Sequence, residues 1–193
     1  TRPGESRYKA PMAILPIYEV PHPILKQVAK PVPRVDDRVR RLLDDMSETM
    51  YAAPGIGLAA PQVGVLERLI VTAVPIRSGV AEEDEEDEDA SKRFLTQLVN
   101  PVIVEQEGEV VCEEGCLSVP DVTLDVDRWD RVVIEALDRN GEPIRFEARG
   151  FYAVVFQHEI DPLDGKTLVD RLSSLKRTLY LKKQKKKLRD GSG

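Results

Sequence analysis

Residues 150–161 read GFYAVVFQHEID. Apolar residues surround a His-Glu pair, so the stretch predicts a helix that is largely buried. A His followed by Glu on such a helix is costly unless both groups find partners. Two readings stay open on these residues alone. One is half of the His-Glu-x-x-His pattern, in which imidazoles at i and i+4 share a helix face and hold one metal, while the Glu reaches the metal-bound water. The other is a satisfied core histidine beside a buried acid. The second imidazole is absent, because the run continues His158-Glu159-Ile160-Asp161-Pro162. Proline has no donor, and its ring clashes with the carbonyl four residues back, which belongs to His158; the helix is expected to kink or end near Asp161.

Upstream, Val35, Val39, Leu42, Leu43, Met46 and Met50 make one apolar stripe, which predicts a helix capped by Asp36 or Asp37 and ended by Pro54-Gly55. Strands are expected at 68–74, 98–104, 109–112, 122–126, 131–137 and 143–148, with Asn140-Gly141 turning between the last two. Residues 173–189 suit a further helix. The order is helix, many strands, buried helix, tail helix. That is α+β, with mainly antiparallel sheets packed around the buried helix that carries the His-Glu motif, and a C-terminal helix.

The chain has 193 residues, 41% hydrophobic and 32% charged, as one globular domain would. Two cysteines exclude a disulfide-built scaffold, no apolar run nears the ~18 residues of a membrane span, and residues 1–11 lack a signal-like apolar stretch. A cytoplasmic setting without membrane contact is the expectation. Residues 82–89, EEDEEDED, are eight consecutive acids; without them the net charge of −6 becomes +2. Six Lys or Arg crowd residues 182–189. Such blocks repel themselves and stay solvated. The expected organisation is an extension at 1–11, a domain at 12–181 with an exposed acidic insertion at 77–93, and a basic tail at 182–193.

Cys116 lies in Glu114-Gly115-Cys116-Leu117-Ser118, where a thiolate suits a borderline divalent metal and Gly115 allows a tight turn beside an ion. Cys112 reads as a buried, inert strand thiol. His22, between Pro21 and Pro23, reads as a surface residue. Residues 55–62, GIGLAAPQ, read alone as a cap glycine followed by a close-packed strand. Gln62 there is able to offer an amide N–H to a developing oxyanion.

Taken together and in order, GIGLAAPQ at 55–62, EGCLS at 114–118 and QHEID at 157–161 resemble the signature segments of the peptide deformylases. The resemblance runs from about Met12 to Lys187. It implies hydrolysis of the N-formyl group from the initiator methionine of nascent polypeptides, with release of formate. It implies one divalent metal, Fe²⁺ or in its place Zn²⁺, Ni²⁺ or Co²⁺, held by Cys116 and His158. It implies Glu159 as acid and base, and Gln62 with the Leu117 N–H at the oxyanion. Ile56, Gly57, Gly115, Val154 and Val155 would contact substrate, and Glu114 and Arg128 would support the ligands. The partners implied are N-formylmethionyl nascent peptides and, through the basic tail, the ribosome. The departure is Pro162, which stands where the family has a second His. Asp161 or Asp164 supplying an oxygen instead is one reading of that departure. A protein that binds formyl-Met peptides or ribosomes without efficient turnover is another.

Overall fold

The structure, a computed structural model, describes residues 13–82 and 94–191. The expected extension at 1–11 and all of the acidic run beyond Glu82 lie outside them. Helix α1, Asp37–Ala52, forms where the apolar stripe placed it. The Asp36 carboxylate caps it by accepting from the Val39 N–H at 3.0 Å. Val39, Leu43, Met46 and Met50 are fully buried along its inner face, each worth about 1.5–3 kcal/mol of apolar transfer.

Among the described residues eight strands follow one another: β1 Gly57–Ala59, β2 Leu69–Thr72, β3 Val80–Ala81, β4 Thr96–Glu107, β5 Val110–Cys116, β6 Val119–Arg128, β7 Arg131–Leu137 and β8 Pro143–Arg149. Six of them build a sheet in the order β1-β2-β4-β7-β8-β3, while β5 and β6 form a separate ribbon. All pairings are antiparallel except β3 with β8. Successive residues of β2 point to opposite faces. Leu69 and Val71 join the core around α1. Ile70 joins the core that contains Val155, Phe156 and Ile160 of helix α2, Gly150–Ile160. The sheet is therefore covered by α1 on one face and α2 on the other, which is why β2 reads as the unbroken apolar run Leu-Ile-Val. Helix α3, Ser174–Asp190, starts at the cap Ser173 and closes the chain.

Four features depart from the sequence expectations. The segment expected as strand 98–104 is one long strand that runs through Asn100-Pro101. It does so by shifting register between Val99 and Val102, where a proline's missing N–H costs no ladder bond. Asn100 adopts φ 53° and clamps both backbone groups of Val32, through its Oδ1 at 2.7 Å and its Nδ2 at 2.9 Å. Second, the expected insertion at 77–93 is exposed at 77–79 but not throughout: Val80–Ala81 pairs with β8 and Ala81 is fully buried. Third, the boundary drawn at 181/182 falls inside α3, where Gln184 is buried. Fourth, Cys112 is half-buried rather than buried. Among the described residues no helix is long and apolar enough to cross a membrane.

Candidate active site

The three quoted segments arrive at one place from three elements. β1 and the 3₁₀ turn after it bring Ile56, Gly57 and Gln62. The hairpin between β5 and β6 brings Gly115, Cys116 and Leu117. Helix α2 brings Val154, Val155, His158 and Glu159. All ten residues line a single cleft of about 760 Å³. His22 is exposed, with Nδ1 accepting from the Ile24 N–H at 3.2 Å, and lies outside the cleft.

Glu114 and His158 of the cleft wall belong to a charged chain. Arg128 is buried at the end of β6, and its guanidinium grips both Glu114 oxygens, Nε to Oε1 at 2.7 Å and Nη2 to Oε2 at 2.8 Å. Its Nη1 meets Asp161 Oδ2 at 2.7 Å. Glu114 Oε2 in turn lies 2.6 Å from His158 Nδ1. That contact ties up one ring nitrogen and leaves Nε2 for the Cys116 side, an arrangement typical of a ligating histidine. Burial alone would raise the Glu114 carboxyl, but Arg128 and His158 outweigh it and hold it at about 2. Burial opposes the charged His158 ring, yet its bonds to Cys116 and Glu114 lift it to about 11.

Gln62 is oriented on both sides. Its Oε1 accepts from the Ala59 N–H at 2.9 Å, so the amide cannot flip. Its Nε2 donates to Ser118 Oγ at 3.2 Å and stands 3.7 Å from Cys116 Sγ. Ser118 completes the support by donating to the Tyr18 carbonyl at 2.7 Å. Glu159 is only 4% exposed and its Oε2 has no hydrogen-bond partner. Burial pushes its carboxyl up to about 7, against the pull of His158. The site thus holds a near-neutral proton carrier, a fixed amide donor and a Cys–His pair around one cleft.

A metal would find two donors here, Cys116 and His158. Helix α2 stops at Ile160 and a 3₁₀ turn runs Asp161–Asp164 with Pro162 in it, as the proline dictates. Neither carboxylate near by takes the missing place. Asp161 is engaged by Arg128 and, at 3.2 Å, by Arg171; Asp164 is engaged by Arg68 at 2.8 Å. Among the described residues no group of three or more His, Cys, Asp or Glu is placed to hold an ion. The residues present do not make the three-ligand set that the resemblance implies.

Sequence reasoning missed three supporting residues. Ser118 was quoted within its segment without a role. Asp161, named from the sequence only as a possible oxygen donor, is held by Arg128 from 33 residues away. Gln157 grips the backbone of Trp129, accepting from its N–H at 2.9 Å and donating to its carbonyl at 2.7 Å, and so fixes the residue after Arg128. The one signal available was a glutamine on an otherwise apolar helix face. Arg128→Met should destabilise the protein by about 3–5 kcal/mol, because it leaves Glu114 buried without its counter-charge. Urea unfolding measures this; a loss below about 1 kcal/mol, the level of an exposed pair, would contradict it.

A model of the polypeptide deformylase family matches residues 14–178. A peptide deformylase of Thermodesulfovibrio yellowstonii is 47% identical over 176 residues, which cover 91% of this chain and 99% of that protein. One of Alkalilimnicola ehrlichii is 49% identical over 180 residues, 93% of this chain and 94% of that protein. Among solved structures, the peptide deformylase of Ehrlichia chaffeensis superposes with a TM-score of 0.81 at 38% identity, over 94% of this chain and all (100%) of that one. A second structure from that organism, in complex with actinonin, superposes with a TM-score of 0.79 at 38% identity, over 91% of this chain and 98% of that one.

Proposed function

The chain belongs to the polypeptide deformylase family, and on that premise we propose that its cleft removes the formyl group from N-formylmethionyl nascent peptides, with Glu159 moving the proton. The family is metal-dependent and acts on nascent peptides. The observation that carries the assignment of roles is the convergence of Glu159, Gln62 and the Cys116–Leu117 turn on one cleft.

The proposed chemistry follows from where charge must go. Water attacks the formyl carbon, and Glu159, poised near neutrality, takes its proton as a general base. The oxyanion forms against Gln62 Nε2 and the Leu117 N–H, donors whose removal typically costs about 2.7–4 kcal/mol each. Glu159 then delivers the proton to the departing amine, and formate and a free N-terminus result. Ile56, Val154 and Val155 supply apolar wall for the methionine side chain. β1 ends the sheet order, so one of its edges is unpaired within the sheet. A substrate backbone is able to extend along it as an added strand beside Gly57. Nothing in the comparisons favours the alternative of binding without turnover, since the matched relatives are named as the enzyme over nine-tenths of the chain. The ion is proposed as Fe²⁺ on resemblance alone.

The test is a pair of peptides that differ only in the cap. Formyl-Met peptide should be hydrolysed and acetyl-Met peptide spared; equal treatment of both would reject a deformylase. The basic helix gives a separate expectation. Lys182, Lys183, Lys185, Lys186 and Arg189 are exposed on α3, while Tyr180 Oη anchors the helix by donating to the Pro120 carbonyl at 2.6 Å. We propose that this face meets ribosomal phosphate. Truncation after Leu181 should abolish salt-sensitive co-sedimentation with ribosomes, because phosphate contacts weaken steeply as salt rises, and leave hydrolysis of a free peptide intact. Equal pelleting of both forms would reduce the helix to a solubility device.

A further inference from the structure

Behind the Cys116–His158 pair lies a second, far smaller cavity of about 20 Å³. Gln62, Cys116, Ser118, His158 and Pro162 are among its walls. A single water needs roughly 10–15 Å³ and two to four polar partners. The cavity meets both conditions, with an amide, a thiol, a hydroxyl and an imidazole in its lining. Pro162 forms wall at the position where the resemblance implies an imidazole.

No other side chain of the lining fills the gap. Asp161 and Arg128 also line the cavity, but Arg128 spans Glu114 and Asp161 Oδ2, so drawing that carboxylate onto an ion would break a contact of a buried arginine. Lys166 is a cation and cannot ligate one. The Thr167 hydroxyl is engaged with Asp170 Oδ2 at 3.3 Å. The Cys–His pair, by contrast, is held ready, since Glu114 orients the imidazole and Gln62 stands beside the thiol.

We infer that the residues present do not fit a tightly held divalent cation: among the described residues the chain offers it only two protein donors, Cys116 Sγ and His158 Nε2, and the cavity walled by Pro162 holds no side-chain donor free to be a third, so that an ion is held loosely and exchanges with solution. This rests on the reading of Cys116 and His158 as the donor pair. Loss of a supporting partner alone costs about 10–100-fold in metal affinity, and loss of a ligand costs at least as much. The site therefore loads at higher free metal than a three-ligand site would.

The experiment is a titration of metal-stripped, full-length protein with Co²⁺, followed by the thiolate-to-cobalt absorption band. Wild type should show the band with an affinity at least about tenfold weaker than Pro162→His. Pro162→Ala, which enlarges the cavity and adds no donor, should bind no more tightly than wild type and should gain affinity when free imidazole is supplied. That variant carries the test should Pro162→His fail to fold. Equal affinity in wild type and Pro162→His, or no response of Pro162→Ala to imidazole, overturns the inference and leaves the donor pair standing. Weakened binding in Asp161→Asn or Asp164→Asn overturns it by supplying a third protein donor. A band that survives Cys116→Ser removes the donor pair itself, which is a failure of the site assignment and reads differently from the others.

Discussion

Glu159→Gln should lower kcat by about 10²–10⁴-fold while the protein stays folded and no less stable. The side chain keeps its volume and loses only the ability to take a proton. Oε2 has no hydrogen-bond partner, so the substitution breaks no bond on that atom. The sign of the stability change follows from the pKa. Burial pushes the carboxyl up to about 7 in the folded chain, against an ordinary value of 4.5. A carboxyl raised on folding costs stability from the unfolded pKa upward, and the full cost is reached above the folded pKa. At neutral pH an amide escapes that cost. Activity comes from formate release and stability from thermal unfolding at pH 5 and above pH 7. A fully active Glu159→Gln protein would transfer the proton to another group; a marked fall in Tm above pH 7 would show that the burial had been misjudged.

Gly57→Ala should be nearly as damaging, for a steric reason. A Cβ at that position would stand 2.5 Å from Glu159 Oε1 and 2.6 Å from its Cδ and Cγ. The backbone cannot retreat cheaply, because Gly57 is paired with Thr72 in the sheet. The carboxylate must move instead, and a displacement of about 1 Å at a reacting group costs on the order of 10²-fold. The expected result is a fall of about that size in kcat/KM with the fold retained. A double-mutant cycle separates this from a general disturbance. In a Glu159→Ala background there is no carboxylate to displace, and Gly57→Ala should then change the residual rate little. A second large loss in that background would mean that Gly57 serves the peptide backbone directly. By the same steric test Gly115→Ala should be tolerated, since its nearest neighbour is Thr123 Cγ2 at 3.5 Å.

What the sequence made legible follows the strength of its local signals. α1 announced itself through a stripe at helical spacing and a capping aspartate, both decided by residues within a few positions of one another. The end of α2 was legible because Pro162 removes an amide proton wherever it stands. The candidate site residues stood out as three short segments, and the fold brings all of them to one cleft. What escaped was settled by distant partners. β3 is two residues long and pairs in parallel with β8, more than sixty positions on, so no periodicity could mark it. The bulge in β4 depends on Asn100 reaching Val32. The fate of Asp161 was open on spacing alone, since three positions from His158 is within reach on a helix. The arginine that claims it comes from the far end of β6.

Whether this cleft, with Glu159 as its proton carrier, hydrolyses a formyl amide is decided by one measurement. The direct measurement is formate released per formyl-Met tripeptide consumed by the full-length chain, with a divalent metal supplied in excess and Glu159→Gln as the comparison. Formate should be released in step with the free amine that appears, at a rate that rises with added metal, and almost none should come from the variant. Folded, metal-loaded wild-type protein that leaves the peptide formylated, or equal formate from both proteins, would contradict that reading.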